Sequence, residues 1–423
     1  MGPPLIYDLT RLASRFLNAT PNGIDRVDLA FARHCLGQAG AAPMGAFFLG
    51  PLGYRFVGQA GGLALVAAIE AHLGETRPDA GAVAMSAIKR WLRHGRDKGT
   101  LGAQHVTARR APFAAAAAGL ALRNLGVARA TARTAIPPGA RYLNVSQYPL
   151  ARPRALDWLG ARPDMRAAFF VHDLLPLERP ELFPDGEAGR HRRRLGVVAR
   201  LAAGAIVSTS LVKAALQSRV HALGRRDMPI FVAALPIAPA FVSAGVADAE
   251  LSTHGYFLQC GTLEPRKNHA MILEVWRELA ARRGAGAPKL ILVGARGWKN
   301  AEAAAALERC PALADHVLVV EGLATPGLAR LMRNARALLM PSLAEGYGLP
   351  LAEAVALGTP AIASDIAAFA EAAGGPYVAL GPHDRDAWAR AIETAPPRDV
   401  RAELPARASA APLRGVDEFL ASL

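Results

Sequence analysis

Short apolar runs alternate along the chain with longer stretches whose hydrophobic positions recur at helical spacing. Runs such as Leu290–Val293 and Ala337–Met340 have no polar member, the pattern of strands buried on both faces of a parallel sheet. Strands are predicted near 5–9, 46–49, 142–145, 168–171 and 205–208 in the first half. In the second half they fall near 256–259, 290–293, 317–320, 337–340 and 361–363. Helices between them give an α/β protein with sheets covered on both sides.

The segment 229–249 holds Pro236 and Pro239 and then small and acidic residues without periodicity, so a linker is expected there. The chain then divides into a first domain over 1–240, a second over 250–400 and a tail over 401–423. In the tail, Val416, Phe419, Leu420 and Leu423 predict a short docking helix. A stretch rich in Ala and Arg around 85–138, including Lys89, Arg90, Arg93, Arg96, Lys98, Arg109 and Arg110, reads as a helical insertion with a basic face in the first domain.

Composition narrows the possibilities. With 423 residues of which 52% are hydrophobic, the chain can bury a core in each domain, which excludes a disordered chain. Three widely spaced cysteines, Cys35, Cys260 and Cys310, build neither a disulfide framework nor a CxxC metal site and suit a reducing cytoplasm. The first residues show no secretory or lipidation signal, and the apolar run 111–122 is shorter than the roughly 20 residues a bilayer span needs. The net charge of +14 predicts an anionic partner. Nucleic acid would suit that charge, but no binding motif or interleaving of aromatic and basic residues accompanies it.

The segment from Pro341 to Pro360, PSLAEGYGLPLAEAVALGTP, carries the most chemistry. A buried strand leads into a glycine loop, Pro350 suits the first turn of a helix, and Gly358 ends that helix. Glu345 is thereby placed beyond the carboxyl end of a parallel strand, where open α/β sheets bind ligands, and Glu353 follows on the helix. Two glutamates eight residues apart are common on solvated helices, so the surrounding string matters more than the pair. That string resembles the E-x7-E segment of retaining GT-B glycosyltransferases of the family-4 type.

Three further segments are similar to the same family. Tyr256 to Asn268 runs from a strand through a glycine turn to Arg266 and Lys267, where the family carries a lysine on the donor diphosphate. Many members have an arginine directly after the glycine; here Thr262 stands there, and Arg266 is a candidate substitute. Asn268 is expected to cap the following helix. Phe169-Phe170-Val171-His172-Asp173 resembles the segment with which the first domain faces the donor sugar. Thr20 to Val27 resembles the loop that closes over the donor phosphates, but keeps only Gly23 of the two or three glycines common there.

The resemblance implies a GT-B fold of two Rossmann-like domains facing across a cleft. It implies transfer of a hexosyl group, with GDP-mannose as first-choice donor, to a growing surface or capsular polysaccharide or a lipid-linked glycan, with retention of configuration. His172 and Glu345 would be catalytic, with Glu345 orienting the donor sugar or acting as nucleophile. Gly23, Arg266, Lys267, Gly346, Tyr347, Gly348, Leu349 and Glu353 would bind the donor, Glu353 at the ribose. No HExxH spacing and no DxD pair in a metal-binding context is present, so no metal or other cofactor is expected. Trp298, after another strand, is placed to stack on the base or to cover the core edge. The arginines of 190–194 could hold a pyrophosphate-linked acceptor or contact an anionic membrane peripherally, at its cytoplasmic face, or could form a solvated surface. A nucleotide-sugar epimerase or hydrolase, or a noncatalytic polyanion-binding protein, could use the same fold.

Overall fold

The computed structural model describes residues 4–15, 21–38, 43–48, 53–75, 81–97, 103–107, 136–152, 154–243, 248–397 and 411–423. Lys98, Arg109, Arg110 and the apolar run 111–122 lie outside them, as do Thr20 and residues 398–410.

Two seven-stranded sheets organise the described residues. The first comprises β1 (Leu5–Asp8), β2 (Met44–Phe48), β3 (Tyr54–Val57), β5 (Arg141–Asn144), β6 (Arg166–Val171), β7 (Ala202–Val207) and β8 (Ile230–Val232), in the order β3-β2-β1-β5-β6-β7-β8. Its strands are parallel except for the antiparallel β2–β3 pair. The second sheet is parallel throughout. It comprises β4 (Gln104–Thr107), β9 (Phe257–Cys260), β10 (Leu290–Val293), β11 (Val317–Glu321), β12 (Ala337–Met340), β13 (Ala361–Ser364) and β14 (Val378–Leu380), in the order β14-β13-β12-β9-β10-β11-β4.

Both sheets are covered on two faces, as their unbroken apolar strands require. Along β6, Phe169 and Phe170 enter separate cores on opposite sides, and along β12 Leu338 and Leu339 do the same. These are the two facing α/β domains of the GT-B arrangement, with their strands' carboxyl ends bearing the candidate residues.

The basic segment expected as an insertion of the first domain sits, where described, on the second. The helix Ala82–His94 buries Met85, Ile88, Trp91 and Leu92 in the second domain's core, and β4 pairs with β11 from Leu318↔Gln104 to Glu321↔Thr107. Its basic face meets acids: Lys89 pairs with Asp248 at 2.9 Å, Arg93 with Glu250 at 2.7 Å and Arg96 with Asp315 at 3.0 Å. The expected linker also starts later than predicted, because Ile230–Val232 extend the first sheet alongside β7.

The predicted carboxyl-terminal helix forms over Ala411–Ser422 and returns to the first domain. Leu413, Val416 and Leu420 enter that core, and Phe419 stacks on Phe231 with centroids 5.3 Å apart. A Cβ at Gly204 would lie 2.8 Å from both Phe419 and Leu423, so a glycine is needed for this approach.

Candidate active site between the domains

Lys267, Arg266 and Glu345 converge at the carboxyl ends of β9 and β12. The Lys267 ammonium donates to Glu345 Oε1 at 2.5 Å, Arg266 binds Oε2, and the Ser342 hydroxyl donates to Oε1 at 2.9 Å. Arg266 also reaches Glu264 at 2.7 Å. Gly261 makes room for this: its φ is +136°, and a Cβ there would sit 3.1 Å from Lys267 Cε. Burial alone would raise the Glu345 pKa, but Arg266 and Lys267, with the Ser342 hydroxyl, hold it down at about 2. The carboxylate is therefore ionised and fully engaged.

Asn268 does not cap its helix as expected. Its backbone is left-handed at φ +56°, and its side-chain amide donates instead to the Pro341 carbonyl at 3.1 Å and the Pro382 carbonyl at 2.8 Å. This ties the Arg266–Lys267 turn to the strand end that carries Glu345.

Gly346 is where the two domains touch. A Cβ on it would lie 2.7 Å from both the Asp173 side chain and the His172 carbonyl oxygen. Its own carbonyl accepts from the Thr209 hydroxyl at 3.2 Å and the Ser208 hydroxyl at 3.4 Å. Tyr347 and Leu349 pack against the first domain's core, and Leu349 lies 3.6 Å from the Cβ position of Gly23. Gly348, at φ +96°, turns the chain into the helix Leu349–Ala356.

His172 stands across the cleft, its ring 4.6 Å from that of Phe170. Nε2 lies 2.8 Å from the Val145 carbonyl oxygen, which places the proton on Nε2 and leaves Nδ1 as an acceptor. Burial pulls its pKa down to about 4, so the ring is neutral at pH 7.

Glu353, expected at the ribose, is fully buried and held by Arg26 of the facing domain. Nη2 of Arg26 donates to Oε1 at 2.8 Å and to Oε2 at 3.0 Å, and Nε adds a bond of 3.1 Å to Oε1. The Arg26 guanidinium also lies 5.6 Å from the centre of the Phe241 ring. Burial raises the Glu353 pKa above the ordinary range against the pull of Arg26. Asp25, beside Arg26 in sequence, does local work: Asn22 and Asp25 form a reciprocal cap on the helix Gly23–Gly37, and Arg11 and Arg15 reach Asp25 at 2.7 and 2.8 Å.

Trp298 also bridges the domains, donating to the Leu182 carbonyl at 3.0 Å and stacking on Phe183. Sequence reasoning missed Ser342, Ser208 and Thr209. The signal was available, since both the Pro341-Ser342 and Ser208-Thr209-Ser210 runs directly follow buried parallel strands. Among the described residues, no three His, Cys, Asp or Glu side chains converge as metal ligands, and no helix is long and apolar enough to cross a membrane.

Residues 254–395 match the family model described as glycosyl transferases group 1. The chain is 33% identical over 220 residues to the serotype-specific mannosyltransferase WbdA of Escherichia coli, covering 49% of this chain and 27% of that protein. It is 31% identical over 153 residues to the O-antigen chain mannosyltransferase B of Escherichia coli, covering 36% of this chain and 40% of that one. The chain thus spans well under half the length of these relatives. Sucrose-phosphate synthase from Thermosynechococcus elongatus superposes with a TM-score of 0.47 and 20% identity, covering 60% of this chain and 63% of that one. Residues 254–395, with Lys267, Glu345 and Glu353 among them, are therefore similar to a glycosyl transferases group 1 domain, in a chain built of two facing α/β domains.

Proposed function

We propose that this chain moves a hexosyl group from a nucleotide diphosphate sugar to a hydroxyl of a growing glycan, retaining the donor's anomeric configuration. The observation that carries this is the convergence of Lys267, Arg266 and Glu345 at two strand ends, facing the neutral His172 across the cleft. Mannose from GDP-mannose is the first-choice donor, supported by the mannosyltransferase relatives. The acceptor is a surface polysaccharide or a lipid-linked glycan, reached on the cytoplasmic side.

A departing diphosphate develops negative charge that must be met by groups already in place. Lys267 and Arg266 supply it as they exchange part of their contact with Glu345 for phosphate oxygens, so no metal ion is required. Glu345, thus partly released, accepts from the donor sugar's hydroxyls. His172 Nδ1 accepts a further sugar hydroxyl from the first domain. The Arg26–Glu353 contact gives way when the ribose takes Glu353.

The test is incubation of the full chain with a panel of nucleotide sugars and a glycan acceptor, in excess chelator, with nucleotide diphosphate release and product linkage as readouts. Acceptor-dependent GDP release with an α-linked product is expected. Hydrolysis or epimerisation without an acceptor product, or release that requires a divalent ion, would overturn the corresponding part of the reading.

A further inference from the structure

Away from the cleft, the first domain carries a cavity of about 310 Å³ between the loop following β5 and the helix Glu187–Leu201. Arg152, Arg154, Arg193 and Arg200 line it, together with the apolar side chains of Leu150 and Leu156. On the helix, Arg193, Gly196, Val197 and Arg200 fall at i, i+3, i+4 and i+7, which puts both arginines on one stripe. Gly196 has nothing within 4 Å of its Cβ position, so the space between the two arginines stays open.

The charges in this cavity differ from the others on the same helix. Arg190 and Arg194 are both paired with Glu187, at 2.7 and 2.8 Å. The four cavity arginines form no ion pair with a carboxylate among the described residues. Arg152 donates to the Tyr148 hydroxyl at 2.8 Å and lies over that ring at 5.4 Å, contacts that orient it without neutralising it. Arg154 is held at φ +61°, a left-handed backbone that a non-glycine residue seldom adopts.

Four guanidinium groups gathered in one cavity without a counter-charge repel one another, and a multivalent anion would relieve this. The planar fork of arginine pairs with phosphate oxygens two at a time, a match that a single carboxylate cannot extend over four groups. Leu150 and Leu156 offer an apolar wall for the carbon portion of an ester. We propose that this cavity is a binding site for a phosphate or diphosphate ester, separate from the donor cleft and independent of the function proposed above. The ester is either a membrane lipid headgroup or a soluble phosphorylated molecule.

The probe is inorganic pyrophosphate, titrated calorimetrically into the full chain and three variants. Arg193→Gln/Arg200→Gln is expected to weaken pyrophosphate binding by at least about tenfold, a loss of about 1.4 kcal/mol. Arg190→Gln/Arg194→Gln makes the same charge change on the same helix outside the cavity and should shift binding by no more than about twofold. Lys267→Ala identifies any pyrophosphate held in the cleft and should leave the cavity-bound fraction intact. All substituted arginines reach solvent, and melting curves check that folding is kept.

Cosedimentation with phosphatidylcholine vesicles, with and without phosphatidylglycerol, separates the two sources. Retention on the anionic vesicles that only the cavity variant loses names a lipid headgroup. Pyrophosphate binding without vesicle retention names a soluble ester. Equal losses in the two double variants would overturn the proposal in favour of a diffuse basic surface. So would no binding of either probe, or pyrophosphate binding that only Lys267→Ala removes.

Discussion

Glu345 and Glu353 stand eight residues apart on either side of one turn and are both buried, yet the structure uses them differently. Glu345 is held inside its own domain by Lys267, Arg266 and Ser342, and its pKa falls to about 2. Glu353 is held from the opposite domain by Arg26, and its pKa rises because burial outweighs the single cation. Local partners keep an acid ionised and in place before a ligand arrives. A partner on the other domain makes the same kind of charge depend on how the domains are closed.

Breaking the contact between domains is expected to have the largest effect. Arg26→Ala leaves Glu353 as a buried carboxylate without its cation, which costs about 3–5 kcal/mol in comparable buried pairs. Chemical denaturation of the full chain measures this. The double variant Arg26→Met/Glu353→Leu should recover most of the loss, since neither charge remains to be desolvated. A cost below about 1 kcal/mol for Arg26→Ala would show that the pair behaves as an exposed one.

Loss of the local pair should appear in turnover. Glu345→Ala and Lys267→Ala each remove a preorganised charged contact from the cleft. Comparable losses cost about 3–4 kcal/mol of transition-state stabilisation, so at least about a hundredfold fall in kcat is expected. Steady-state kinetics with the best donor checks this, with circular dichroism to confirm the fold. Near-normal transfer by either variant would leave Glu345 and Lys267 as structural groups only.

What could be read from the sequence follows the same division between local and distant. The ten expected strands all form, because strands inside a parallel sheet are apolar on both faces and leave continuous runs such as Leu290–Val293. Among the described residues the unexpected strands are β3, β8, β4 and β14, which stand at the edges of the two sheets. Edge strands are half covered, and their sequences show it: Gln104–Thr107 alternates buried and exposed, and Val378–Leu380 is largely exposed. The placement of Ala82–Thr107 on the second domain was hidden for a related reason. Its helix periodicity says that one face is buried, without saying against which domain.

The candidate residues were legible where strand ends fix them. His172 directly follows a buried run, and Glu345 and Lys267 stand five and seven residues beyond one, so their position at the sheet's carboxyl edge needed no tertiary information. The Arg26–Glu353 pair spans 327 residues and depends on the facing of two domains, which no local pattern encodes. No local signal therefore showed that Arg26 holds Glu353 in the structure.

The pH dependence of stability sharpens the contrast, because the two acids act with opposite sign. Glu345 has a folded pKa of about 2, below the ordinary value of 4.5. Its contribution is therefore present above pH 4.5 and is lost as the pH falls towards 2, to an extent of about 3 kcal/mol. Glu353 has a folded pKa above its ordinary value, so its contribution is present at acid pH and is lost as the pH rises through that raised pKa. Glu345→Gln should then flatten the acid side of a stability profile measured by denaturant titration from pH 2 upward. Glu353→Gln should steepen the rise of stability with pH just above the ordinary carboxylate range, where the wild-type acid is deprotonated in the unfolded chain but still protonated when folded. Slopes that move in the same direction in both variants would mean that the two glutamates share one electrostatic environment, and the distinction between local and interdomain pairing would fail.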